Sequence, residues 1–196
     1  MDFGGVIAEE GFREGLKAVA RTSGLDPDWF FRLSDDLIYE TGYVLGLADE
    51  HTYWEAVREK SGIALSDEAL RDEVLKRFVL RPAVLEIADR LRARGLITGI
   101  LSDQTNWLNE LNGRGPFYRH FDHIFNSYTL GKGKRDQSVF ADACGVLGLK
   151  PGEVLFIDDN PDNIKRAGAG GLRAVHYTGI TALEEALKGL IPLFKG

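Results

Sequence analysis

Cysteine is almost absent from this chain of 196 residues, which contains only Cys144. An intrachain disulfide is therefore excluded, and the helical pattern around Cys144 predicts a buried thiol rather than a nucleophile. Long hydrophobic runs are also absent, because no apolar stretch approaches the roughly 20 residues that a membrane span requires. The first residues lack the basic and apolar regions of a signal peptide. These absences favour a cytoplasmic protein that does not bind membranes.

Basic residues are outnumbered, since 24 lysines and arginines stand against 30 acidic residues, for a formal net charge of -6. Nucleic acids are held by broad basic surfaces, so this balance argues against a nucleic-acid partner. The hydrophobic share of 44% and the charged share of 28% are typical of a globular protein. The length fits one domain, or one domain with an insertion.

Strand and helix patterns alternate in the second half of the chain. Strands are predicted at 96–101, 124–128, 154–157 and 173–177, and helices at 136–147, 161–169 and 182–190. This order is typical of βαβ units and a parallel sheet, so the predicted fold class is α/β. Residues 10–80 differ, because they carry few strand signals and many aromatic residues, among them Tyr39, Tyr43 and Trp54. They are predicted to form a helical insertion.

Two adjacent carboxylates, Asp158 and Asp159, directly follow the predicted strand at 154–157. In an open α/β sheet, ligands bind outside the carboxyl ends of the strands. Two acids at such a place favour a hard cation with oxygen ligands, such as Mg2+. The alternative is a turn rich in Asp and Asn that caps the next helix.

Three further polar residues stand at comparable places. Asp2 precedes the glycine turn Gly4-Gly5, which can expose backbone amides beside a carboxylate. Ser102 follows one predicted strand and Lys134 follows another. Each signal is weak alone, but their order along the chain is specific.

On these residues the chain resembles the haloacid dehalogenase-like hydrolase superfamily over essentially its whole length. The matching stretches are DFGGVI at 2–7, ILSD at 100–103, LGKGKRD at 130–136 and LFIDDN at 155–160. The nearest likeness is to the branch with phosphatases of the glucose-1-phosphatase type and the phosphatase domain of soluble epoxide hydrolases. The resemblance implies a Rossmann-like three-layer core with a parallel sheet over 1–9 and 81–196, and a small helical cap over 10–80.

The resemblance also implies the chemistry, which is hydrolysis of a small phosphorylated metabolite. The oligomeric state stays open between a monomer and a homodimer. Asp2 would be the nucleophile that forms an aspartyl-phosphate, and Lys134 would neutralise developing charge and orient Asp2. Ser102 and the backbone N–H of Asp103 would hold the phosphoryl group, together with the loop at Gly4. Lys132 is the competing candidate for the lysine.

Mg2+ is the implied cofactor, because it takes one or two carboxylates together with a substrate phosphate. Asp159 would be its main ligand, with Asp158 nearby. Asp2 and the backbone carbonyl of Gly4 would complete the protein ligands.

The chain departs from the family pattern at three places. Gly4 stands where most phosphatases of the family carry a second aspartate as general acid and base, and such help is typically worth about 100- to 10,000-fold in rate. Asp103 stands where Asn is frequent, and a carboxylate there would repel phosphate unless it points away or pairs with a cation. Only Met1 precedes Asp2, whereas about five apolar residues of a central strand usually do. We expect residues upstream of this numbering, with a truncated and damaged site as the alternative.

Two other functions stay open. A haloacid dehalogenase also lacks the second aspartate and needs no metal, although the acid pair and the glycines favour a phosphatase. A non-catalytic binding protein on the same fold is the second alternative, because fold does not fix function.

Overall fold

The computed structural model describes residues 1–190, so the last six residues of the predicted core, 191–196, lie outside the described part. The helices are α1 (Gly11–Thr22), α2 (Pro27–Glu40), α3 (Glu50–Ser61), α4 (Asp67–Leu75), α5 (Pro82–Arg92), α6 (Trp107–Arg114), α7 (Ser127–Leu130), α8 (Ser138–Leu147), α9 (Pro161–Ala169) and α10 (Ile180–Leu190). The strands are β1 (Gly99–Ser102), β2 (His123–Asn126), β3 (Leu155–Asp158) and β4 (Arg173–His176). Within residues 1–190, no helix combines the length and the apolarity needed to cross a membrane.

Two parallel strand pairs are joined by the first two residues of the chain. β1 pairs with β2 and β3 pairs with β4, each in parallel. The backbone nitrogen of Met1 donates to the Gly99 carbonyl at 2.8 Å, and Leu101 N–H donates to the Met1 carbonyl at 2.9 Å. On the other side, Asp2 N–H donates to the Ile157 carbonyl at 2.8 Å. Residues 1–2 therefore occupy the central position of the sheet, which confirms the predicted parallel α/β fold.

Both faces of this sheet are covered by apolar side chains, as parallel sheets require. Because side chains alternate along a strand, Ile100 and Ile157 enter the larger core cluster, while Leu101 and Phe156 enter a second cluster. The second cluster lies against α8 and includes Cys144, which is buried as predicted.

The region predicted as a helical insertion contains α1 to α4. α1 packs against both α2 and α4. Ser66 caps α4, because its hydroxyl accepts the N–H of Ala69 at 3.3 Å. The helices lie inside the predicted range 10–80, and the division of the chain into two domains stays a prediction.

Two predicted strands differ from the structure by more than one residue at one end. β1 begins at Gly99 rather than at residue 96, because Leu96 N–H donates to the Leu91 carbonyl and completes the end of α5. The strand predicted at 124–128 ends at Asn126, and Ser127 begins the short helix α7. Tyr128, which was predicted as the last residue of this strand, packs its ring against Tyr43 instead, with the ring centroids 6.1 Å apart.

The contact between α1 and α4 supplies a stability test. A Cβ atom built on Gly15 would lie 2.5 Å from the Val74 Cα atom, so Gly15→Ala has to separate the two helices. We expect a loss of about 1–3 kcal/mol in the free energy of unfolding. The control is Gly145→Ala in α8, where nothing lies within 4 Å and the gain in helix propensity is about 0.5–1 kcal/mol. Urea unfolding of both variants checks the contact, and equal stabilities would contradict it.

Candidate active site

All seven residues predicted for the site come together at the carboxyl edge of the sheet. Six of them, Asp2, Gly4, Ser102, Asp103, Lys134 and Asp159, line a single cleft with a volume of about 610 Å³. The seventh, Asp158, lies fully buried beside it and contacts Lys134. The cleft also receives side chains from α1 and α2, so the predicted helical insertion forms one of its walls.

The Lys134 ammonium group lies at the centre of the site. Its Nζ atom is 2.8 Å from Asp2 Oδ1 and 2.7 Å from Asp158 Oδ2, and its side chain is only 3% exposed. Burial opposes the charge of Lys134, but the two carboxylates outweigh burial and raise its pKa above the ordinary value. Lys132, the competing candidate, pairs instead with Asp142 at the surface. The structure therefore places Lys134, and not Lys132, against the predicted nucleophile.

The Asp2 carboxylate is held from two sides. The N–H of Phe3 donates to Asp2 Oδ1 at 2.7 Å, in addition to the bond from Lys134. Burial raises the pKa of Asp2 to about 8, with Lys134 opposing the rise and Asp158 adding to it. One buried lysine does not balance the neighbouring carboxylates, so the site favours a further cation.

Asp158 acts as the partner of Lys134. Its oxygens accept hydrogen bonds from the Asn160 N–H at 2.8 Å and from Asn163 Nδ2 at 3.1 and 3.2 Å. Asn163 was not predicted as a site residue, and its place in the first turn of α9 is the only local signal. The turn interpretation of this segment also holds, because the Asn160 side chain caps α9 by accepting the N–H of Asp162.

Asp159 comes close to the loop after the nucleophile because Gly5 has no side chain. Gly5 has a φ of 80°, and a Cβ atom built on it would lie 2.2 Å from Asp159 Oδ2. One oxygen each of Asp2, Asp158 and Asp159 can be chosen so that all three lie within 4.8 Å of one another. Burial and the neighbouring Asp158 raise the pKa of Asp159. A hard divalent cation fits this set, because it would meet oxygen ligands and offset the crowded negative charge.

Asp103 uses its carboxylate to join three segments. The Lys134 N–H donates to its oxygens at 2.8 and 3.0 Å, and the Tyr39 hydroxyl donates to Oδ2 at 2.9 Å. The Arg135 guanidinium group covers the Tyr39 ring at 3.4 Å from its centroid and donates to Asp35 at 3.0 Å. Neutral donors thus satisfy the Asp103 oxygens and leave its negative charge in the cleft. Its predicted contact with substrate stays a prediction.

The aromatic residues of the helical insertion are divided between the cleft and the core. Tyr39 lines the cleft, as do Phe12 and Phe31. Tyr43 and Trp54 are fully buried in the core, where the Tyr43 hydroxyl donates to Asn106 and Trp54 Nε1 donates to Glu50.

Curated relatives match parts of this chain. Bifunctional epoxide hydrolase 2 of Rattus norvegicus is 29% identical over 112 residues, which span 54% of this chain and 20% of the rat protein. Phosphoserine phosphatase of Thermus thermophilus is 29% identical over 132 residues, which span 64% of this chain and 53% of that protein. The chain therefore matches about half or less of the length of these relatives.

Solved structures match nearly the whole chain. An enzyme of the haloacid dehalogenase family from Bacteroides thetaiotaomicron, in complex with magnesium and inorganic phosphate, gives a TM-score of 0.71 at 22% identity and covers 89% of this chain and 90% of its own. The L-2-haloacid dehalogenase from Xanthobacter autotrophicus gives a TM-score of 0.66 at 19% identity and covers 96% and 80%. At such identities these neighbours show the fold alone.

The sequence profile that matches is that of the haloacid dehalogenase-like hydrolases, over residues 6–171. This match covers most of the chain, and it agrees with the fold and with the cluster of Asp2, Lys134 and Asp159. The chain belongs to the haloacid dehalogenase-like hydrolase family.

Proposed function

We propose that this hydrolase is a Mg2+-dependent phosphomonoesterase that acts on a small phosphorylated metabolite. The observation that carries the proposal is the buried Lys134 ammonium group, which lies between Asp2 and Asp158. The similarity to phosphoserine phosphatase supports phosphoester hydrolysis as the reaction type.

In the proposed reaction, Asp2 attacks the phosphorus atom and forms an aspartyl-phosphate, which water then hydrolyses. Lys134 favours the ionised form of Asp2 and holds it in one orientation. Ser102, at the end of β1, and the adjacent backbone N–H bind the phosphoryl oxygens.

The metal site is assigned to Asp2, Asp158, Asp159 and the Gly4 carbonyl. Asp159 and Asp2 are the better ligands, because hydrogen bonds from Lys134, Asn160 and Asn163 already occupy the Asp158 carboxylate. Bound Mg2+ would neutralise phosphate charge during transfer.

Dehalogenation of a 2-haloacid is the second candidate, because an L-2-haloacid dehalogenase shares the fold. The carboxylates of Asp2, Asp158 and Asp159 favour the phosphatase, since a reaction without metal would leave two further acids beside the nucleophile with one lysine between them. The third candidate is a binding protein without catalysis, which predicts no phosphate release in the assays below.

The cleft indicates the kind of molecule that it can hold. Its volume of about 610 Å³ lies in the range of small-molecule sites, and its mouth presents Arg13 and Arg135 beside Phe12 and Phe31. These side chains favour a small anionic metabolite with an apolar portion. A cytoplasmic location and a monomeric or homodimeric state remain part of the proposal.

The lysine assignment is tested by a matched pair of variants. Lys134→Gln removes the charge beside Asp2, and we expect kcat/KM for p-nitrophenyl phosphate to fall about 100- to 1,000-fold. Lys132→Gln changes the same residue type two positions earlier, at the surface, and should leave kcat/KM unchanged. Circular dichroism would verify that both variants are folded at the assay temperature. Equal activity of the two variants would contradict the assignment.

The metal requirement separates the two enzymatic candidates. The purified chain should release phosphate from p-nitrophenyl phosphate with Mg2+, lose this activity in EDTA and regain it when excess Mg2+ is added. The same preparation should release no halide from 2-chloropropionate. Halide release in EDTA, without phosphatase activity, would establish the dehalogenase instead.

The charge of Asp103 gives a prediction about substrate affinity. Asp103→Asn keeps an oxygen that can accept the Lys134 N–H but removes a negative charge from the phosphate cleft. We expect KM for the phosphate ester to fall by roughly fivefold, which corresponds to about 1 kcal/mol of relieved repulsion. Steady-state kinetics at fixed ionic strength measures this change. A higher KM would instead mean that the Asp103 carboxylate itself binds substrate.

A further inference from the structure

The proposed reaction needs a proton donor in addition to Asp2, Lys134 and the metal site. When Asp2 displaces an alkoxide from phosphorus, the leaving oxygen has to acquire a proton, and Gly4 cannot provide it. A positioned carboxylic acid with a raised pKa is suited to this step. The cleft contains several carboxylates, and their contacts distinguish them.

Most of these carboxylates are already engaged. Asp2 and Asp159 belong to the nucleophile and the metal site. Asp103 accepts hydrogen bonds from Lys134 and Tyr39, and Asp35 pairs with Arg135. Asp162 is exposed in the first turn of α9. The remaining acid that lines the cleft is Glu10.

Glu10 lies beside the place where a side chain on Gly4 would point. A Cβ atom built on Gly4 would lie 4.0 Å from Glu10 Oε1 and 3.5 Å from the Phe78 ring. Gly4 is two residues after the nucleophile, so the Glu10 carboxyl group borders the place that the side chain of an acid at position 4 would occupy.

The environment of Glu10 suits a proton donor. Glu10 caps α1, but the hydrogen bond from the Arg13 N–H to Oε1 is long, at 3.4 Å. Oε2 is 3.9 Å from the Arg13 guanidinium group. The Glu10 side chain is 30% exposed and is among the residues that line the cleft. Burial raises the pKa of Glu10, although Arg13 opposes the rise. Glu10 is thus held at one point and can still reach a ligand.

We propose that Glu10 is the general acid and base of this site, an inference that rests on the proposed phosphatase function. As Asp2 Oδ bonds to phosphorus, the bond from phosphorus to the leaving oxygen breaks and that oxygen takes the proton of the Glu10 carboxyl group. Glu10 then accepts a proton from the water whose oxygen attacks the aspartyl-phosphate. The bond from phosphorus to Asp2 breaks, its electron pair returns to the carboxylate, and phosphate leaves.

The test compares leaving groups. Glu10→Gln keeps the capping oxygen and removes the proton. Its kcat/KM should fall about 100- to 10,000-fold for glycerol 3-phosphate, whose alkoxide needs protonation, and only a few-fold for p-nitrophenyl phosphate, whose phenolate does not. The control is Glu14→Gln, an exposed acid one turn further along α1, and it should leave both values unchanged.

A second readout follows the aspartyl-phosphate. Without a general base its hydrolysis slows, so Glu10→Gln should release p-nitrophenol in a burst of about one equivalent per enzyme. In the double variant Glu10→Gln with Gly4→Asp, the new carboxyl group should restore part of the activity toward glycerol 3-phosphate. A role limited to capping α1 would produce neither the burst nor the rescue.

Different results would contradict the phosphatase function and the role of Glu10. If the wild-type chain hydrolyses neither ester with Mg2+, the phosphatase function fails and Glu10 loses its role with it. If the wild-type chain hydrolyses only p-nitrophenyl phosphate, the phosphatase function stands and the role of Glu10 is wrong. The same conclusion follows if Glu10→Gln lowers kcat/KM equally for both esters, or for neither ester.

Discussion

The contact of one buried ammonium group with two carboxylates holds the catalytic edge of this protein together. Lys134 comes from the loop before α8, Asp2 from the central position of the sheet and Asp158 from the end of β3. Removing three charges from water is costly, and their mutual attraction compensates only when the geometry is close. Surrounding hydrogen bonds fix this close geometry, because Asn163 donates to Asp158 and Asp103 accepts the backbone N–H of Lys134. The arrangement of the site therefore follows from how the sheet and its loops surround the Lys134 ammonium group with carboxylates.

The negative charge left over supports the proposal that a cation binds here. Asp159 approaches the loop at Gly5 so closely that any side chain there would collide with it. Carboxylates kept this near one another are stabilised by a metal ion or by protonation. Burial raises the pKa of Asp2 to about 8, and the neighbouring Asp158 adds to the rise. A phosphate ester brings still more negative charge, which Mg2+ and Lys134 together can offset. A haloacid brings only one carboxylate, so it gives less reason for a cation beside Asp2, Asp158 and Asp159.

How far the sequence predicts this structure depends on whether a signal is local. The helix α9 was predicted with its bounds, because Asn160, Pro161 and the glycines after Ala169 mark both ends. The four motif segments were predicted in order, so their meeting at one edge of the sheet followed from the parallel topology. Tyr39 and Asp103 are 64 positions apart in the sequence, and no pattern in a single sequence predicts their contact. Glu10 was missed for the same reason, since its relation to Gly4 exists only after α1 folds over the loop.

The central claim is that Asp2 carries the phosphoryl group during turnover. The most direct measurement is to quench the chain with acid during hydrolysis of a 32P-labelled phosphate ester with Mg2+, and to locate the label by peptide mapping. The account predicts an acid-stable, hydroxylamine-sensitive phosphoryl group on the peptide that contains Asp2, and its disappearance in Asp2→Asn. Label on any other residue, or hydrolysis by Asp2→Asn at the wild-type rate, would contradict it.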